Sequence, residues 1–249
     1  MADNRRLLHA ICAAGPRPPE ADTERVEEAG LAAICSRLDD GADEADPAWL
    51  AAAAQRHHAI VQRLFEAAPV LPIRFGTLVD ASDLASLLAN NRAELSAELE
   101  RLGGLAEWGA KIFAEPEALV RAAEQSDADI AALDAELSAS APGRAFLLKR
   151  QREAAVAGAV QQHAGTVVER VRTTLASAAI EDAELPLPAV MPAGNDMLAN
   201  LAFLVRESDS DVFAATADRA GREAQVEVEI SGPWAPYSFV RLNLGAGEP

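Results

Sequence analysis

The chain has 249 residues, half of them apolar and about a quarter charged, which is the balance of a folded globular protein rather than a disordered one. Its 39 acidic against 22 basic residues leave a net charge of −17, and both halves share it: residues 1–103 carry 17 acidic and 10 basic groups, the remainder 22 and 12. Such a field opposes binding to nucleic acid phosphates or an anionic membrane surface, and the one basic knot, Lys149, Arg150 and Arg152, reads as a solvated helix turn.

No stretch approaches the ~18 unbroken apolar residues of a transmembrane helix, and the first apolar run is too short and too interrupted, by His9, for a signal peptide. The expected compartment is the cytoplasm. Aromatic residues make up only 4% of a chain rich in Ala, so helix packing through small aliphatic side chains is expected. Cys12 and Cys35 sit in apolar, strand-like runs; they could pair as a disulfide, but buried free thiols are the favoured reading.

In chain order, residues 7–14 and 31–37 are short apolar runs, the first closed by the Gly-Pro-rich breaker of 15–19 and the second by the acidic loop of 39–46. Asp46-Pro47 reads as an N-cap with proline at the first helical position. Trp49, Ala53, Ile60, Leu64 and Phe65 mark the inward face of the helix that follows, to about residue 67. Residues 70–75 predict a strand closed by Gly76. Asp80 or Ser82 then caps further helix, with Leu84, Leu87, Leu88, Leu95, Leu99 and Leu102 at helical spacing. Gly103-Gly104 is the predicted domain boundary, dividing 1–103 from 104–249.

In the second half, residues 105–113 predict a strand and 118–137 a helical stretch divided at Gln125-Ser126-Asp127. Residues 144–179 predict one long helix, striped by Val156, Val160, Ala164, Val167, Val171 and Leu175, roughly 50 Å in length. An extended segment (185–190), a strand (198–206), a helix (209–221) and a strand (224–230) follow. The expected fold class is therefore α+β. An N-terminal α+β domain precedes a C-terminal ferredoxin-like domain of order β-α-β-β-α-β, with an enlarged helical first crossover.

Catalytic chemistry finds little support. His57 and His58 are adjacent, so on a helix they point about 100° apart and cannot easily share one ion. His9 and Cys12, three apart in a strand, are expected to face opposite sides. No HExxH, CxxC, GxSxG, Walker or GxGxxG pattern occurs, and the Gly-Ala-Gly of 245–247 lies in the tail. No catalytic residue, metal ligand or cofactor site is predicted.

Two local patterns stand out. In Val70-Leu-Pro-Ile-Arg-Phe-Gly-Thr77, Pro72 removes a backbone donor, which suits an edge strand or a bulge, and edge strands accept other chains. In Ser231-Gly-Pro-Trp-Ala-Pro-Tyr-Ser-Phe239, Gly232-Pro233 is expected to stop the last strand, and Trp234, Tyr237 and Phe239 gather aromatics that are scarce elsewhere. They serve either as a lid over an apolar face or as a partner-docking surface.

Together these patterns resemble the gas vesicle protein F/L family. The similarity takes in His57-His58-Ala59-Ile60-Val61, the run from Leu71 to Thr77, and Gly143-Arg144-Ala145-Phe146-Leu147. It continues through Asn200-Leu201-Ala202-Phe203-Leu204-Val205 and Gly232 to Phe239. The sequence departs from the family at Ala235, where proline is usual, and at His9-Ala10, where a bulky aromatic is expected. Phe146 and Phe203 stand where tyrosine is common.

The resemblance implies a cytoplasmic, gas-vesicle-associated accessory protein that is not an enzyme and whose second domain is ferredoxin-like. It implies binding to the small hydrophobic shell protein of the vesicle wall, and to other accessory proteins, in nucleation and assembly. An acidic partner that covers an apolar or unpaired strand surface keeps such a subunit soluble. The expected contact residues are Arg74, Phe75, Gly76, Trp234, Pro236, Tyr237 and Phe239. The alternative reading is a small-molecule-binding regulatory module of ferredoxin-like type.

Overall fold

The computed structural model describes residues 4–15, 22–37, 46–188 and 196–242. Residues 16–19, 39–45, 189–190 and 245–247, on which the breaker, the acidic loop, the end of the extended segment and the Gly-Ala-Gly were placed, lie outside the described residues. The architecture is α+β. The backbone parts into two compact units, one of Met1–Glu107 with Arg206–Ser208 and Gly232–Pro249, the other of Trp108–Val205 with Asp209–Ser231.

In the first unit, β1 (Arg5–Ala13) is paired antiparallel with β3 (Leu31–Arg37), and β3 in turn with β2 (Glu24–Glu28). The short strands β4 (Val70–Pro72) and β5 (Leu78–Asp80) both lie along the other side of β1, giving the order β2-β3-β1-β4. Pro72 therefore stands on an edge strand, where its missing N–H breaks no ladder. The predicted strand of 70–75 ends at Pro72, because the chain turns at Phe75-Gly76 and Gly76 takes φ +89°, which favours glycine.

Helix α1 (Pro47–Ala67) starts as predicted, Asp46 accepting the Ala48 amide at 2.9 Å. Its buried stripe is His57, Ile60, Val61 and Leu64, and the last three pack with Ala10 and Cys12 of β1. The leucine-rich stretch forms two helices, α2 (Leu84–Asn90) and α3 (Arg92–Leu102), rather than one. The break falls at Asn91, whose side chain donates to the Leu87 carbonyl, and Asp83 rather than Asp80 or Ser82 precedes the first turn.

One irregularity in β1 shapes the site. Leu8 faces Cys35 and Ala10 faces Ile34, so His9 is an extra residue in the ladder, a β-bulge. The bulge shifts the alternation. His9 reaches α1, the helix against which Cys12 also packs, and the expected placement of the two on opposite sides does not hold.

In the second unit, β6 (Leu105–Ala114) leads into α4 (Pro116–Ser126), α5 (Ala128–Ser138) and the 35-residue α6 (Pro142–Ala176). The break between α4 and α5 falls in the predicted polar run, where Asp127 caps α5 through the amides of Asp129 and Ile130. Then come β7 (Glu181–Glu184), β8 (Asp196–Arg206), α7 (Ser210–Ala224) and β9 (Glu227–Trp234), with sheet order β7-β8-β6-β9.

Alternate residues of β6 (Trp108, Ala110, Ile112) and β8 (Ala199, Leu201, Phe203, Val205) share one core with Val171, Leu175, Phe213 and Ala217. Two expectations are corrected here. The strand before β8 is the polar Glu181–Glu184, paired antiparallel with β8, not the proline-punctuated 185–190. Gly232-Pro233 does not stop the last strand: β9 lies at the sheet edge and continues through this cis bond to Trp234.

Candidate functional site

The two sequence patterns meet in the first unit, on consecutive residues of α1. The Phe75 ring stands edge-on to His57 at 5.5 Å between centroids, and the Tyr237 ring lies 6.3 Å from His57 and 6.4 Å from His58. Trp234 meets His58 edge-on at 5.2 Å. Phe75 and Trp234, 159 residues apart in sequence, thus close on one helical turn. Of the predicted contact residues, Arg74 and Gly76 are exposed, Phe75, Trp234 and Tyr237 are half-buried, and Pro236 and Phe239 are buried. Ala235 lies in the core with Ile60, Val61 and Leu64.

The tail is held by polar groups that sequence reasoning missed. Glu107 accepts both the amide of Ser238 at 2.7 Å and its hydroxyl at 2.8 Å. Glu98 accepts two hydrogen bonds from Arg101, at 2.8 and 2.7 Å, and one from the Arg241 amide at 2.7 Å. Arg101 also donates to the Phe239 carbonyl at 2.5 Å, and Gln62 to that of Pro233 at 3.1 Å. The Arg101 bonds hold the Glu98 carboxyl below its ordinary range, whereas burial raises that of Glu107. The Tyr237 hydroxyl is buried with no hydrogen-bond partner among the described residues, and burial, then the Glu107 charge, pushes it up.

Beneath Phe75 lies a second arrangement the sequence did not announce. His57 Nε2 is 2.9 Å from the Ile73 carbonyl, His57 Nδ1 is 2.9 Å from His9 Nδ1, and His9 Nε2 is 2.9 Å from Ser36 Oγ. A carbonyl only accepts, so Nε2 of neutral His57 carries the hydrogen and its Nδ1 accepts. His9 must then donate from Nδ1, and its Nε2 takes the Ser36 hydroxyl hydrogen. Both rings are neutral at physiological pH. Burial first, then the repulsion a protonated His57 would add and the Arg56 charge, lower His9 to about 4, and burial lowers His57 against the pull of the Ile73 carbonyl. Two signals could have found the pair: a histidine inside an apolar strand needs a partner, and His57 stands on the helical stripe of Ile60, Val61 and Leu64.

Nothing in the arrangement is poised for catalysis. The chain of hydrogen bonds ends on a backbone carbonyl, and burial, then the Glu24 charge, pushes the Cys35 thiol to about 11, far from a reactive thiolate. Among the described residues, no group of three or more His, Cys, Asp or Glu could hold a metal ion, and no helix is long and apolar enough to cross a membrane.

The site is an aromatic tail segment latched onto one turn of α1 in an α+β frame. The chain belongs to the family described as gas vesicle synthesis protein GvpL/GvpF, whose profile matches residues 8–241. It is 35% identical over 202 residues to gas vesicle protein L of Streptomyces sp. (strain CB03234), covering 78% of this chain and 71% of that one. With gas vesicle protein L2 of Halobacterium salinarum it shares 27% identity over 179 residues, 68% of this chain and 63% of the relative. Its fold is similar to the crystal structure of GvpF from Anabaena sp. PCC7120, with a TM-score of 0.76 at 19% identity over 97% of this chain and all of the other. GvpF from Microcystis aeruginosa gives a TM-score of 0.66 at the same identity, over 96% of this chain and all of the other. Membership makes the chain an accessory protein of gas vesicle assembly, a non-catalytic role exercised at the vesicle.

Proposed function

We propose that the protein assists assembly by binding the small hydrophobic shell protein through the surface built on His57 and His58. Arg74, Gly76 and the open parts of Phe75, Trp234 and Tyr237 make the contact, while buried Pro236 and Phe239 hold the tail in place. The observation that carries this reading is the convergence of Phe75, Trp234 and Tyr237 on one turn of α1. Aromatic rings give contact area at low entropy cost, and they stand in a chain of net charge −17 that keeps an apolar cargo soluble by like-charge repulsion. Other accessory proteins of the vesicle are further partners in this reading.

We also infer that the two compact units are two domains joined near Gly103-Gly104, the segment after Gly232 returning to the first. The second is read as ferredoxin-like, a reading supported by the order β7-β8-β6-β9 and by the long helical connection between β6 and β7.

Co-expression of the shell protein with tagged wild type, Trp234→Ala or Arg74→Ala tests the contact. Each variant is expected to retain less shell protein and leave more of it insoluble. Unchanged capture and solubility would remove these residues from the interface.

A further inference from the structure

The first unit contains a cleft of about 230 Å³ over the His9–His57 pair. Its wall is apolar, formed by Leu7, Trp49, Leu50, Ala53, Phe75 and Leu78. A cavity of ~150 Å³ with such a lining accepts benzene, so this one has room for a substituted single ring or a compact fused pair.

The polar groups of the cleft restrict the occupant further. At the floor, Ser36 has committed its hydroxyl hydrogen to His9 Nε2, as the chain of bonds from the Ile73 carbonyl requires, so its oxygen presents only lone pairs. At the rim, Arg37 is engaged by Glu24 at 2.5 Å and Arg56 by Asp22 at 3.6 Å. An anion would face the repulsion of those carboxylates at the rim and would meet an acceptor at the floor. A cation would face two guanidinium groups. A neutral molecule with a hydrogen-bond donor meets neither obstacle.

We propose that this cleft is a binding site for a small neutral aromatic molecule carrying one hydrogen-bond donor, of the phenol or indole class, its ring against the apolar wall and its donor on Ser36 Oγ. The site shares His57, Phe75 and Gly76 with the proposed shell-protein surface, but binding of the small molecule is read on the isolated full chain with no shell protein present, so either proposal can fail without the other.

Ligand-observed NMR titration at pH 7.5 with p-cresol, 4-methylanisole and 4-methylbenzoate separates the features. p-Cresol is expected to bind saturably. 4-Methylanisole, in which a methyl group replaces the hydroxyl hydrogen, is expected to bind about three- to tenfold more weakly, a difference that Ser36→Ala separates from the added bulk, and 4-methylbenzoate more weakly than p-cresol. Ser36→Ala should erase the preference for p-cresol over 4-methylanisole, and Ala53→Phe, which fills the cleft from α1, should abolish binding of both. Absence of saturable p-cresol binding, equal affinity for the methyl ether, or stronger binding of the benzoate would overturn the proposal. These three comparisons use unaltered protein, so they decide the matter even where a variant fails to fold.

Discussion

His9 Nδ1 and His57 Nδ1 lie 2.9 Å apart, a hydrogen bond between two buried rings that requires one of the two facing nitrogens to stay unprotonated. Protonating one ring places a charge in a buried site already beside Arg56 and His58, and protonating both also sets a donor against a donor. The folded pKa of His9, about 4, lies below the unfolded value of 6.5, so between them the unfolded chain binds more protons and acid favours unfolding. Denaturant midpoints measured from pH 7.5 to 4 are expected to fall mainly below pH 6.5, and His9 adds nothing further below about 4. Glu107, whose carboxyl is raised above 4.5, works the opposite way and becomes less destabilising as pH falls through its folded value. Glu24 and Glu98, both lowered, keep their contribution above 4.5 and lose it below.

The same bond predicts a mutational cost. His9→Ala leaves Ser36 and the buried His57 Nδ1 unsatisfied and opens space beneath Phe75, which should destabilise the protein by about 2–4 kcal/mol. The acid dependence between pH 6.5 and 4 should flatten in the variant. Chemical denaturation at two pH values checks both.

Glu98 is 8% exposed and serves Arg101 and the Arg241 amide together. Glu98→Ala should cost about 2–4 kcal/mol, because a half-buried guanidinium and an amide lose their acceptor. The effect should be local before it is global: amide hydrogen exchange of residues 237–241 should accelerate more than that of β1.

Phe213 is fully buried, with its ring 5.8 Å from Trp108 and 5.4 Å from Phe203. Phe213→Ala is expected to cost about 3–5 kcal/mol through lost transfer energy and the cavity left behind. Calorimetric unfolding reads this directly.

Periodicity made the regular elements legible. The alternation Trp108, Ala110, Ile112 announced β6, and Asp46-Pro47 announced the start of α1, because burial on one face leaves a period in the sequence. The polar strands left none: β2 and β7 are mostly charged, and only pairing with β3 and β8 makes them strands. The candidate site was half legible. The Leu71–Thr77 and Gly232–Phe239 patterns were visible, but their meeting on His57 and His58 depends on the tail's course. That course is set by Glu98 and Glu107, two carboxylates among 39 acidic residues. The His9 bulge was hidden for a different reason, since an extra residue in a ladder shows only against its partner strand.

Site-specific photocrosslinking tests the central claim most directly. A photoreactive phenylalanine analogue at Arg74 or Trp234, in protein co-expressed with the shell protein, is expected to yield a covalent adduct with it. The same group at Val212, a residue of α7 that is 61% exposed, is expected to yield none. Adducts at Val212 but not at Arg74 or Trp234 would contradict the account.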